Sequence, residues 1–129
     1  MTSKNEQTYS TKQTSELVGM SISQLHYYDH LGIIPFLKRT DNGYRRFSEQ
    51  NITWLKELKI FVDSGMSLRD VKRLTDLVLI GKRTTYDQQM EIIDAHIESL
   101  IEKRNEIDAQ IDSIHHFFDD FNPFAEEKK

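Results

Sequence analysis

The 129-residue chain contains no cysteine, two prolines, five glycines and a single tryptophan. Without cysteine there is no disulfide, no thiolate metal site, no catalytic thiol and no thiol-based redox sensing. No apolar run approaches the roughly 20 residues needed to span a bilayer. The opening MTSKNEQTYS is polar with no apolar stretch behind it, so it is not expected to be a secretory signal. A cytoplasmic protein with no membrane partner is the expectation. Also missing are a Gly-rich phosphate loop and any nucleophile beside a credible base, and the many carboxylates of residues 87–127 sit at helix-surface spacing. No catalytic residues and no cofactor are therefore expected, and the chain does not read as an enzyme. Hydrophobic content, 37%, is low for one thick core. A chain of this size needs long helices or a partner to bury more surface.

What the chain does have is a polarised charge. The net value of −4 conceals 13 Lys and Arg against 9 Asp and Glu in residues 1–83, and 4 against 12 in residues 84–129. A basic front followed by an acidic rear suggests a polyanionic partner for the first and exclusion of that partner from the second.

Helix boundaries are legible. Ser10-x-x-Gln13, Ser21-x-x-Gln24 and Thr85-x-x-Gln88 fit the capping box, Ser67-x-x-Asp70 is a near relative, and Ser48 precedes an acid in a first turn. Gly19, Gly32 and Gly65 fall where helices should stop. Helices are predicted near 11–18, 21–31, 49–63, 68–77 and 86–121. Between the second and third, Pro35 ends helical continuation and Asn42-Gly43 signals a hairpin turn between strands 36–39 and 44–47. Two strands alone are marginal, so the hairpin must lean on the helices.

The last helix differs in kind. Tyr86, Met90, Ile93, Ile97, Leu100, Ile107, Ile111, Ile114, Phe118 and Phe121 recur at alternating spacings of four and three, interrupted only by Arg104. At 1.5 Å per residue such a helix is roughly 54 Å long. The front of the chain is too small to cover that stripe, so a homodimer is expected. Its contacts would be Met90, Ile93, Ile97, Leu100, Arg104, Ile107, Ile111, Ile114 and Phe118. The organisation expected is a DNA-binding domain over 1–78, a linker over 79–85, a dimerisation helix over 86–121 and a tail over 122–129.

The stretch from Ser10 to Leu31 is two capped helices joined by a Gly-Met-Ser turn, a helix-turn-helix. In that geometry the second helix enters the major groove of DNA. Leu25, Tyr28 and Leu31 lie three apart and form its buried stripe, which turns Ser23, Gln24 and Tyr27 outward and His26 to one side. Gln can read adenine through two hydrogen bonds, and the Ser and Tyr hydroxyls can hold phosphates. The hairpin behind it carries Lys38, Arg39, Arg45 and Arg46 as a wing. Strand neighbours point to opposite faces, so only one of Arg45 and Arg46 is expected to face DNA at full reach.

GMSISQLHYYDHLGIIP, NGYRRFSEQNI and DSGMSLRDVKRL together resemble the MerR family of bacterial transcription regulators. The likeness covers roughly residues 9–121. It spans an opening helix, a recognition helix, a Gly-Tyr-Arg wing and a second helix-turn-helix, followed by the dimerising helix. The resemblance implies a mainly α fold, a winged helix-turn-helix with a two-stranded wing and a coiled coil. It implies contacts to double-stranded promoter DNA from Ser23, Gln24, His26 and Tyr27, from Tyr44 and Arg45, and from Ser67 at a helix N-terminus. With Ser21, Arg39 and Arg46 these make the candidate DNA-binding set. His26 stands where most members have Arg, and Arg46 where an apolar residue is common. The resemblance further implies antiparallel pairing of the long helices and a two-fold operator in an overlong promoter spacer. Bending and untwisting that spacer would realign the promoter for RNA polymerase.

Three other readings carry less weight. His115/Asp119 and His116/Asp120 are i,i+4 pairs, but two ligands are too few, and solvated helix-end residues are expected rather than a metal site. Phe117, Phe118, Phe121 and Phe124 either close a small ligand pocket or cap the coiled-coil end, and capping is the expectation. The chain stops eight residues after Phe121, so no appended sensor domain is expected, and the sequence names no effector. Of other function classes, a protein-binding adaptor on the same fold has little use for Asn-Gly-Tyr-Arg-Arg on a wing. An architectural DNA-binding protein has no need of the heptads.

Overall fold

The computed structural model describes residues 7–121. The chain forms two compact units, one through Ile92 and one from Ile93 onward. In order the elements are β1 (Thr8–Tyr9), α1 (Thr11–Val18), α2 (Ile22–His30), β2 (Lys38–Arg39), β3 (Arg45–Ser48), α3 (Glu49–Asp63), α4 (Leu68–Ile80), a 3₁₀ turn (Arg83–Thr85) and α5 (Tyr86–Phe121).

The capping boxes at Ser10/Gln13 and Ser21/Gln24 close in both directions. Gly19 ends α1 with φ of 71°, a left-handed conformation that costs glycine nothing. The start of α3 is tied further. Ser48 accepts from the Asn51 N–H at 3.1 Å, and Asn51 Oδ1 accepts from the Ser48 N–H at 3.0 Å. Asn51 Nδ2 then donates to the Pro35 carbonyl at 2.8 Å. One helical turn on, Trp54 Nε1 donates to the Ile33 carbonyl at 2.8 Å. The first two turns of α3 thereby clamp the loop that leaves α2.

Thr85 differs from its expected role. Its hydroxyl donates to the Lys82 carbonyl at 2.8 Å and lies 3.2 Å from the Leu77 carbonyl, and it accepts from Gln89 Nε2 rather than forming a box with Gln88. Helix α4 also runs past residue 77 to Ile80, because Gly81, with φ of 67°, is the first residue there that stops a helix. Leu79 and Ile80 of the expected linker therefore belong to α4, and Arg83–Thr85 form the 3₁₀ turn.

The sheet has three antiparallel strands rather than two, ordered β1-β3-β2. Thr8 pairs with Ser48 and Tyr9 with Phe47, while Lys38 pairs with Arg46 and Arg39 with Arg45. The Tyr9 hydroxyl donates to Glu49, and that acceptance, more than burial, raises the phenol above its ordinary range. Strand β2 is shorter than the expected 36–39 because Phe36 has φ of +61°. A bulky residue there breaks the extended run at a cost of about 1–2 kcal/mol.

The core of the first unit gathers one side from each helix: Leu25 and Tyr28 of α2, Leu55 and Leu58 of α3, Val71 and Leu74 of α4, with Ile33 and Phe47 between. Leu31, expected among them, is only half-buried. Ile92 is buried too, one position off the heptad stripe. Within the second unit Ile97, Ile107, Ile111, Ile114, Phe118 and Phe121 are exposed. Buried apolar area is worth about 25 cal/mol per Å², so a stripe of this kind gains only when covered.

Asn51→Ala is expected to lower unfolding stability by about 2–3 kcal/mol, since it removes a cap and leaves the Pro35 carbonyl without its donor. The urea midpoint measures it, and Asn51→Asp should be no better, since it would bury a carboxylate against the Pro35 carbonyl oxygen.

Candidate nucleic-acid interface

Helix α2 presents its sides as the alternation of its sequence requires. Leu25 is fully buried and Tyr28 is 6% exposed, whereas Tyr27 is 51% exposed. The two neighbouring rings lie 6.0 Å apart at 42°, so Tyr28 supports its outward neighbour from the core side. Ser23 and His26 are exposed beside Tyr27. Ser21 and Gln24 serve each other instead: the Ser21 hydroxyl accepts from the Gln24 N–H and Gln24 Oε1 from the Ser21 N–H, both at 3.0 Å. Two-point readout of adenine needs that same Gln24 oxygen as well as its amide N–H. With the oxygen engaged in the cap, the geometry offers chiefly the NH₂ group outward.

The wing turns on Thr40. Its carbonyl accepts from the Gly43 N–H at 2.8 Å, its N–H donates to the Tyr44 carbonyl at 2.8 Å, and its hydroxyl accepts from the Tyr44 N–H at 3.1 Å. Gly43, at φ of +88°, makes this tight three-residue loop possible. Tyr44 is left 71% exposed at the tip.

Arg39 and Arg45 project to one side of the wing and converge on a residue of the recognition helix. Asp29 Oδ2 accepts from Arg39 Nη2 and from Arg45 Nε, each at 2.6 Å. Arg46 goes the other way, as strand alternation requires. Its Nε donates to the Thr8 hydroxyl at 3.0 Å and its Nη2 to the Thr8 carbonyl at 3.1 Å. Arg46 was expected in the DNA-binding set, but its guanidinium is occupied in holding β1. Sequence reasoning missed Asp29. The signal available was an acid late in the recognition helix with two arginines facing each other on the strands that follow.

Ser67 caps α4, its hydroxyl accepting from the Asp70 N–H at 3.1 Å, and is itself exposed. Of the dimerisation candidates, Met90, Ile93 and Leu100 are half-buried, and Ile97, Arg104, Ile107, Ile111, Ile114 and Phe118 are exposed. Near the end of α5, His116 Nδ1 donates to the Asp112 carbonyl at 2.8 Å. That bond, with the carboxylates of Asp112, Asp119 and Asp120, raises its pKa above the ordinary imidazole value. Phe117 and Phe121 stack with centroids 5.0 Å apart. Phe124 lies outside the described residues. Among the described residues no helix is long and apolar enough to cross a membrane.

Two helices joined at a tight turn, a wing bonded to the second helix and a second capped pair behind them are an arrangement shared with known proteins. The model of the MerR HTH family regulatory proteins matches residues 9–77. The chain belongs to the MerR family. It is thus a helix-turn-helix regulatory protein of that family. An uncharacterized HTH-type transcriptional regulator of Haemophilus influenzae is 38% identical over 77 residues, covering 60% of this chain and 57% of the relative. The HTH-type transcriptional activator mta of Bacillus subtilis is 29% identical over 106 residues, covering 82% of this chain and 38% of that protein. The chain thus spans only about half the length of these curated relatives, or less. The crystal structure of HiNmlR, a MerR family regulator lacking the sensor domain, bound to promoter DNA, matches with a TM-score of 0.76 at 26% identity. It covers 93% of this chain and 94% of that one.

Because Arg46 is engaged with β1, Arg46→Ala is expected to lower stability by about 1–2 kcal/mol. Amide exchange at Thr8 and Tyr9 should accelerate with it, whereas unchanged protection there would mean that the Arg46 bonds do not hold the strand.

Proposed function

We propose that the protein is a sequence-specific DNA-binding transcription regulator, acting as a homodimer on a two-fold operator within a promoter spacer. The observation that carries this reading is the wing fastened through Asp29 to a helix whose free face is Ser23, His26 and Tyr27. In this reading α2 lies in the major groove. The Tyr27 and Ser23 hydroxyls donate to phosphates, and the His26 imidazole meets a base edge as donor or acceptor. Tyr44 and the remaining N–H groups of Arg39 and Arg45 approach the neighbouring backbone. The N-terminus of α4 at Ser67 offers amides to a further phosphate.

The exposed heptad stripe of α5 supports the second half of the proposal, since pairing with another copy covers it. Two copies place two readers on one duplex. Bending the spacer between them costs several kcal/mol, offset by phosphate contacts along the curved DNA. The bent promoter is then presented to RNA polymerase. With about four phosphates neutralised per protomer, log affinity should fall with log salt at a slope of about −7 for the dimer.

Footprinting on DNA upstream of the protein's own gene, at two salt concentrations, is expected to give a two-fold protected stretch between promoter elements. Absence of sequence-selective protection on that region and on a library of duplexes would sink the reading. Leu100→Asp should give monomers in sedimentation. A dimer that persists in that variant would place the interface elsewhere than the stripe.

A further inference from the structure

Arg39 and Arg45 stand opposite each other across the β2–β3 ladder. Like charges directly opposed on neighbouring strands repel. A single oxygen, Asp29 Oδ2, offsets that repulsion by accepting from both at 2.6 Å. Asp29 is not part of the wing. It sits in the last turn of α2, with its side chain only 16% exposed. The contrast with Lys59–Asp63 and Lys72–Asp76 is instructive, because those pairs each lie four apart on one helix and report only on that helix. The Asp29 pairs join residues 10 and 16 apart in sequence and connect separate elements.

The donors left over matter as much as those engaged. Arg45 binds Asp29 through Nε, leaving both terminal nitrogens. Arg39 uses Nη2, with Nη1 at 3.4 Å from the Gly43 carbonyl. Each guanidinium can therefore still meet a phosphate, but only along the direction the carboxylate allows. The trio carries a net charge of +1 where two untethered arginines would carry +2. Untethered arginines bind any phosphate, whatever the sequence, and each adds to affinity for all DNA alike. Fixed ones hold the duplex in one register, and base readout depends on that register.

We propose that Asp29 is a positioning and specificity-determining residue. It sets the wing against the recognition helix and withholds two arginines from indiscriminate phosphate binding. This rests on the DNA-binding reading given above. Its consequence runs opposite to the loss of a contact: removing the Asp29 charge should strengthen binding to DNA of the wrong sequence.

The full-length chain, titrated across a salt series against the footprinted operator duplex and a scrambled duplex of equal length, tests this. Asp29→Asn is expected to bind the scrambled duplex about three- to tenfold more tightly, with a salt slope steeper by about one per protomer. The operator-to-scrambled ratio should fall about tenfold. Asp29→Glu should restore much of the ratio, and in an Arg39→Gln background the Asn effect should shrink, since the two residues are coupled. A parallel weakening on both duplexes, with the slope unchanged, would reduce Asp29 to a structural staple and overturn the proposal. So would an unchanged ratio. If Asp29→Asn does not fold by circular dichroism, Arg39→Lys decides. It keeps the charge but loses the planar fork, so the ratio should fall, and an unaltered ratio overturns the idea. Failure of the DNA-binding reading shows separately, as a wild-type protein that discriminates no duplex.

Discussion

One carboxylate oxygen decides how this protein presents itself. Asp29 Oδ2 receives a donor from each wing strand, and the two strands it joins are too short to be stable alone. Both bonds are charge-assisted, a kind roughly twice as strong as neutral ones, and the Arg45 one is part-buried. Without them, Arg39 and Arg45 would face each other unpaired across the ladder. The outward row of α2 and the tip of the wing would then have no common frame.

The frame also needs a floor, and α3 supplies it. Asn51 and Trp54 reach from its first turns to the carbonyls of Pro35 and Ile33, the loop on which the chain passes from helix to wing. Loop carbonyls beside a core are expensive to leave unmatched, so these bonds settle the path of the loop. On the far edge of β3, Arg46 does the same for β1. A basic surface in the sequence thus resolves into cations with different tasks: two turned toward the recognition helix and one holding a strand.

Local signals were well legible in the sequence, and long-range ones were not. The boxes at Ser10 and Ser21 depend only on residues three apart, so their reading needs no knowledge of the fold. The outward turn of Tyr27 followed from helical period alone. The apolar heptad stripe of α5 was legible for the same reason, as was the family likeness that its neighbouring motifs carry. Strand β1 escaped notice because two residues show no alternation. Asn51 carried no local signal of its bond to the Pro35 carbonyl, which forms only when the loop folds against it. The positive φ of Phe36 shortened β2 without any glycine to announce it. Arg46 was read as a free donor because its partner is a strand that sequence spacing cannot display. Asp29 was passed over for the same reason.

The wing is short, and its length acts as a ruler. Two paired residues in β2 extend about 7 Å at the rise of a strand, held stiff by a three-residue loop and by Asp29. A minor groove is about 6 Å wide and a major groove about 12 Å. An arm of that length about matches the minor groove and falls well short of the major one. Under the proposed function, whatever distance remains must be closed by the duplex moving toward the protein. The stiffness of a particular base-pair step would then enter the choice of site, even where no side chain touches it.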